Sequence, residues 1–201
     1  MGTTLETIAG FMDARGVKYQ LEREKSRILT GFGTKNYKDA SGHSGVLLSV
    51  EVKEDGEYLI VTAPEVYKYK DGPHLTAVLQ ACLWVCFATK SLQYEYDYRD
   101  GEIRAVVEIP LEDAILTEKQ LFRILLTIPT VLDRYDSVVR SAIERGTPPS
   151  EATESGRDPA TLAGLLGQLP PDLLAAALAE VQKRRGRGDS DEGGGSGPST
   201  L

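Results

Sequence analysis

Apolar and polar residues alternate along two stretches between residues 46 and 110, and this pattern predicts two antiparallel hairpins. Asp55-Gly56 and Asp100-Gly101 are two-residue turn signals. Folding at the first turn pairs Val52 with Leu59, Val50 with Val61 and Leu48 with Ala63 on one face. Folding at the second pairs Tyr98 with Ile103, Tyr96 with Ala105, Tyr94 with Val107 and Leu92 with Ile109, and the opposite face pairs Asp97 with Arg104 and Arg99 with Glu102. The hairpins therefore predict an antiparallel sheet with one covered face.

The segment before the hairpins predicts a helix and at least one strand. Thr3 is placed to cap a helix over residues 3–15, with Glu6 in the capping-box position. A half-buried strand follows from Val17, and the pattern leaves open whether residues 28–29 extend it or begin another strand. The glycine-rich segment 31–45 lacks the ending of a phosphate-binding loop and predicts a mobile connection.

Between the hairpins lies a helix, predicted over about residues 75–90, that is apolar on every side. Three rows of apolar side chains follow helical spacing: Leu75, Val78, Leu79, Cys82 and Cys86; Ala77, Ala81, Trp84 and Ala88; Leu83 and Phe87. The first row can lie on the sheet, but one small sheet cannot cover all three. The remaining cover is either another protein surface or this chain's own last helix or C-terminal segment.

The last helix of the core is predicted from Thr117, which caps it with Gln120 as the capping-box partner, to Arg145, with Gly146 as the stop. Pro129 predicts a kink or break within it. Beyond the domain of residues 1–146, composition predicts a linker over 147–157, a small helical pair over 158–187 and a disordered tail over 188–201.

The chain has 201 residues and a formal net charge of −7, which disfavours nucleic acid as a partner because phosphate binding depends on Lys and Arg. The N-terminus lacks a basic region followed by an apolar core, so no signal peptide is predicted. The longest apolar run, residues 75–88, is shorter than the ~20 residues of a membrane span. We therefore expect a cytoplasmic protein with no membrane partner and two reduced cysteines.

Candidate catalytic and metal-binding residues are few. Cys82 and Cys86 lie four residues apart, but a metal site needs further ligands, and only His43 and His74 are histidines. His74 has no signature nucleophile or carboxylate to work with. No catalytic, metal-binding or cofactor-binding residue is predicted, and no cofactor.

The order of elements, with the segment "LWVCFATKSLQYEYDYRDGEIRAVVEIPLEDAILTEKQLFRILLTIPTVLDRY" (83–135), resembles the YbjN family. The resemblance covers residues 3–146. It implies the α+β fold of type III secretion chaperones, in the order α-β-β-β-α-β-β-α, and a bacterial cytoplasmic protein with a binding or regulatory role and no catalytic residues. In the related secretion chaperones the helix between the hairpins forms the homodimer interface, and the sheet face holds an extended partner segment.

These observations predict a non-enzymatic protein-binding module, a chaperone-like adaptor or regulator that acts through the central helix and the sheet face. The partner is another protein or a second copy, as a homodimer. The predicted interface residues are Ala77, Ala81, Leu83, Trp84, Phe87 and Ala88. Two alternatives stay open: a scaffold whose C-terminal helical pair is the docking element, and an enzyme with an unrecognised site near His74 and the 31–45 segment.

Overall fold

Three helices cover one face of a six-stranded antiparallel sheet in the computed structural model, which describes residues 2–149. The elements are α1 (Leu5–Ala14), β1 (Tyr19–Glu22), β2 (Arg27–Gly33), β3 (Gly45–Lys53), β4 (Tyr58–Lys68), α2 (Leu75–Ala88), β5 (Gln93–Tyr96), β6 (Glu102–Pro110) and α3 (Glu118–Arg145). The α+β class predicted from the sequence is confirmed. The predicted C-terminal helical pair, its linker beyond residue 149 and the tail lie outside the described residues.

The sheet has the strand order β1-β2-β3-β4-β6-β5, and every neighbouring pair is antiparallel. Alternate residues of the central strands point toward the helices and form one core with the inner faces of α1, α2 and α3. Ile28, Val50, Val61, Ile103 and Leu125 are fully buried in that core. The opposite face of the sheet carries mostly charged and polar side chains, among which the ion pairs Arg27–Glu22, Lys53–Glu51 and Arg104–Glu95 lie across or along strands.

Four strands, rather than the predicted three, precede the central helix. A short 3-10 turn over Arg23–Lys25 ends with Ser26 in the left-handed region (φ 50°), and this turn reverses the chain. Residues 28–29 therefore belong to a separate strand, β2, which pairs with β1 on one side and with β3 on the other. The predicted order is corrected to α-β-β-β-β-α-β-β-α.

The first hairpin has the predicted register for two of its three pairs. Val52 lies opposite Leu59 and Val50 opposite Val61, but pairing between β3 and β4 ends at Ser49–Thr62, so Leu48 has no partner on β4. The connection at Asp55-Gly56 has a requirement for glycine that the turn signal alone does not reveal. Gly56 has φ 101°, and a Cβ there would lie 2.6 Å from the backbone of Gly2.

The second hairpin is shifted by two residues from the predicted register. Tyr96 lies opposite Ile103 and Tyr94 opposite Ala105, because residues 97–101 form a five-residue connection rather than a two-residue turn. The Asp97 carboxylate accepts hydrogen bonds from Arg99 within that connection, so it is not paired with Arg104. A shift by two keeps the paired side chains on their predicted faces, but Tyr98, predicted opposite Ile103, lies in the connection and is 77% exposed.

The helix ends follow local signals with one correction. The cap of α1 is Thr4, whose hydroxyl accepts the Thr7 N–H, and not Thr3. The capping box of Thr117 and Gln120 opens α3 as predicted, and Gly146 in the left-handed region follows its last residue. Of the kink or break predicted at Pro129, the break is wrong, because α3 continues through this residue for 28 residues in all.

Candidate protein-binding surface

The central helix α2 packs against α3 and against the sheet at β5, and this position decides which of its side chains are available. Its buried residues are Ala77, Val78, Ala81, Cys82 and Val85. They lie within one side of the helix at the spacing of its turns. The small side chains of Ala77 and Ala81 allow α3 to approach, and Trp84 packs edge-on against Tyr135 of α3 with 5.5 Å between ring centroids.

The opposite side of α2 faces solvent. Leu83 is 69% exposed and Phe87 is 85% exposed, and they lie one turn apart. With Thr76 and Gln80 they form a continuous exposed strip, which we call the α2 stripe. No residue from Leu75 to Ala88 carries a charge. The chain therefore presents two large apolar side chains together on a helix surface that has no charged neighbour in the same helix.

The predicted interface set is thereby divided. Ala77 and Ala81 are buried inside this chain, so they do not reach a partner, and their inclusion is corrected. Trp84 and Ala88 are partly buried, Trp84 by its contact with α3. Leu83 and Phe87 remain as the exposed members. The alternative that the last helix covers part of the apolar surplus is thus correct for one row, and the stripe is the surplus that remains.

Other exposed apolar side chains are distributed over the surface. They are Leu47 on β3, Tyr98 in the β5–β6 connection, Ile115 before α3 and Leu126 on α3. Each is the only member of this group on its element, whereas α2 carries two. Isolated exposed apolar residues are common in soluble domains, but a pair on one helix face is a better indication of an interaction surface.

His74, at the start of α2, has structural contacts. Its Nδ1 lies 3.0 Å from the Ile143 carbonyl oxygen, and its backbone N–H donates to the Tyr69 hydroxyl. Its ring also stacks on Tyr69 and lies against Gly146, where a Cβ would be 2.7 Å from the ring. These contacts join the beginning of α2 to the end of α3.

A tyrosine cluster in the core contacts both α3 and α2, through Tyr67 and Tyr94 respectively. The rings of Tyr37, Tyr67 and Tyr94 meet edge to face, and the Tyr67 hydroxyl donates to Asp136 at 3.1 Å. Burial raises the pKa of the Tyr37 hydroxyl to about 12 and that of Tyr67 well above its usual value. The cluster therefore stays neutral over the physiological pH range.

The two cysteines differ in environment. Burial raises the pKa of the Cys82 thiol to about 12. Cys86 is only partly buried, and its sulfur accepts the Tyr94 N–H at 3.1 Å. Within residues 2–149 no cluster of three or more His, Cys, Asp and Glu is arranged to hold a metal ion. In the same residues no helix combines the length and apolarity needed to cross a membrane.

A cleft between β3 and β4 is a second surface feature, which the sequence pattern did not reveal. It has a volume of about 480 Å³ and is bounded by the diverging ends of the two strands and by the 38–41 segment. The signal that could have indicated it is Pro64, since proline interrupts a strand ladder. The alternation of apolar residues continues to Ala63 and concealed the interruption.

Comparison with known proteins shows similarity at the level of structure. No family model matches the chain, and no curated protein matches it. Among solved structures, the crystal structure of YbjN from E. coli, a candidate transcription regulator, is similar with a TM-score of 0.49 and 7% sequence identity. The match covers 69% of this chain and 91% of that one. At this identity the similarity concerns the fold and nothing more.

Proposed function

We propose that this chain is a protein-binding module without chemistry of its own, an adaptor or regulator whose α2 stripe is its contact surface. The observation that carries the proposal is the exposure of Leu83 and Phe87, one turn apart on a helix without charged residues. Covering each of these side chains would contribute about 1.5–3 kcal/mol. The buried side of α2 is already covered within residues 2–149, so this gain is open to a surface that packs on the exposed side.

We propose a second copy of the chain as the first partner of the stripe. A two-fold axis beside α2 would bring the stripe of one copy onto that of the other, so every apolar side chain would be buried twice in the dimer. Two uncharged helix faces can approach without like-charge repulsion or loss of charge solvation. Thr76 and Gln80 supply polar groups at the margin of this contact.

The experiment is to measure molar mass by light scattering and the dimer dissociation constant by sedimentation for three proteins. They are the wild-type chain, the double variant Leu83→Asp/Phe87→Asp and the control Ile115→Asp, which alters an equally exposed apolar residue outside α2. We expect a wild-type dimer, weakening by at least about a hundredfold in the double variant and no change in the control. Circular dichroism establishes that all three are folded.

The proposal is wrong if the double variant associates as tightly as the wild-type chain, because the stripe would then carry no interface. A wild-type chain that remains monomeric would remove the second copy as the partner. Equal weakening of self-association by Ile115→Asp would indicate nonspecific association through exposed apolar residues rather than a defined interface.

A further inference from the structure

The β3–β4 cleft arises because two neighbouring strands separate before either one ends. β3 pairs with β2 from Gly45 to Glu51, but it pairs with β4 only from Ser49 to Lys53. β4 continues to Lys68 and stays paired with β6, with a shift of register between Ala63 and Tyr67. Residues 45–48 therefore have a ladder partner on one side only.

Pro64 and Glu65 explain the separation. Proline has no N–H to give to a ladder, and Glu65 has φ 47°, a left-handed conformation that turns the strand. After this turn β4 stays paired with β6 and is no longer paired with β3. The gap is thus set by Pro64 and Glu65 together with the pairing of β4 to β6, and it does not depend on a flexible connection.

One backbone group can be assigned to the gap from the alternation of the ladders. The Glu57 carbonyl accepts the Leu111 N–H, so the odd-numbered residues at the start of β4 direct their backbone groups to β6. The even-numbered residues of β4, such as Thr62 opposite Ser49, then direct their backbone N–H and C=O groups to β3. The odd-numbered residues of β3 direct theirs to β4. Leu47 belongs to this last set. Its expected partner would be Pro64, so the Leu47 carbonyl receives no ladder donor.

The cleft combines an apolar interior with a rim in which cationic side chains outnumber acidic ones. Apolar surface comes from Val46, Tyr37, Val66, Ile143 and Leu47, of which Leu47 is 53% exposed.

The charged residues that line the cleft are the cations Lys38, Lys68 and Arg140 and the acids Asp39 and Glu65. Two of the cations have acidic partners: Lys68 forms an ion pair with Glu65, and Arg140 with Asp136. The Asp39 carboxylate accepts the backbone N–H groups of Ser41 and His43. Lys38 is in no ion pair with the described residues, so a cation is free at the mouth of the cleft in a chain whose net charge is −7.

We propose that the β3–β4 cleft binds an extended peptide segment of another protein in which apolar residues are flanked by acidic ones. The segment lies beside residues 45–48 as a short added strand and donates a backbone N–H to the Leu47 carbonyl. An apolar side chain packs on Leu47, and an acidic side chain meets Lys38 at the mouth. The cleft volume of about 480 Å³ is within the ~300–1,000 Å³ range of ligand pockets. This site is separate from the α2 stripe and does not depend on the proposed dimer.

The test uses three fluorescein-labelled peptides and the full chain, with binding followed by fluorescence anisotropy. The probes are DEVLVDE, its basic counterpart KKVLVKK, and DEPLPDE, in which prolines remove two N–H donors. We expect DEVLVDE to bind at least about tenfold more tightly than either of the others. Hydrogen exchange of the Gly45–Leu48 amides slows when DEVLVDE is bound.

Charge variants locate the site. Lys38→Glu weakens binding of DEVLVDE by at least about fivefold, whereas Lys35→Glu, an exposed lysine of the same connection that does not line the cleft, changes it by less than about twofold. Leu83→Asp/Phe87→Asp binds the peptide as the wild-type chain does, so failure of the dimer and failure of the cleft are distinguishable.

Three results would overturn the proposal. One is absence of binding up to about 1 mM peptide. Another is equal binding of the acidic and basic probes, or equal losses in Lys38→Glu and Lys35→Glu, which would indicate unspecific attraction. The third is exchange protection in α2 rather than in residues 45–48.

Discussion

At the scale of single residues, two buried hydroxyls of the tyrosine cluster differ in whether they have a hydrogen-bond partner. The Tyr67 hydroxyl donates to Asp136, whereas the buried Tyr94 hydroxyl has no hydrogen-bond partner among the described residues. We expect Tyr67→Phe to lower the free energy of unfolding by about 1–2 kcal/mol, and Tyr94→Phe to leave it unchanged or slightly raise it. Urea denaturation of both variants measures the difference. Equal losses would mean that the Tyr94 hydroxyl has a partner in solution.

The cysteines give a second residue-scale prediction. Since burial raises the pKa of Cys82 to about 12, this thiol is almost entirely protonated at pH 8 and is shielded from reagents. A disulfide reagent such as DTNB should therefore react with Cys82→Ser, which retains Cys86, faster than with Cys86→Ser. In urea the two variants should react at similar rates. Prompt reaction of folded Cys86→Ser would show that α2 separates from the core on the time scale of the assay.

At the scale of elements, local signals in the sequence located helices and turns better than they fixed strand register. The capping box of Thr117 and Gln120 defines the start of α3 because both partners lie within four residues of each other. The Asp100-Gly101 signal indicated a reversal but not its length, since the bonds from Arg99 to Asp97 enlarge the connection to five residues. The separation of β3 from β4 depends on β6 holding β4, which is a long-range pairing that alternation does not encode.

The α3 cap provides an element-scale prediction. Thr117→Ala removes the hydroxyl that accepts the Gln120 N–H and should lower the free energy of unfolding by about 0.5–2 kcal/mol. Thr117→Ser retains the acceptor and should lose less than half as much. Thr130→Ala, at an exposed position inside the same helix, should be neutral or slightly stabilising. A loss for Thr130→Ala as large as that for Thr117→Ala would contradict the capping explanation.

The connection between β2 and β3 is attached to α3 through Asp133. Its carboxylate accepts the backbone N–H groups of Lys35, Asn36 and Tyr37 at 2.8–3.0 Å. Asp133→Ala should therefore speed hydrogen exchange of these three amides by at least about tenfold. The control Ser137→Ala, one turn further along α3 and exposed, should not. Unchanged exchange in Asp133→Ala would mean that Tyr37, anchored by its hydroxyl on the Val66 carbonyl, holds the connection alone.

At the scale of the whole molecule, the sequence revealed an apolar surplus in α2 but not which part of it stays exposed. Helical spacing gives the angle between side chains of one helix, not the direction from which a neighbouring helix approaches. Ala77 and Ala81 looked equivalent to Leu83 and Phe87 as surplus residues, yet their small size is what admits α3. The direction of α3 therefore decides which row is covered: the row that contains Ala77, Ala81 and Trp84 packs against α3, and Leu83 and Phe87 on the other side of α2 stay exposed.

The distribution of the core along the chain supports a final prediction. The buried apolar residues of the described part run from Ile8 to Ala142, so a chain ending at residue 149 retains all of them. We expect this shortened chain to unfold in one cooperative transition and to dimerise with a dissociation constant within about threefold of the full chain. Loss of dimerisation in the folded short chain would assign the contact to residues 150–201, as the alternative of a C-terminal docking element requires. The contact would be assigned to the α2 stripe if the short chain dimerises and the short chain carrying Leu83→Asp/Phe87→Asp does not.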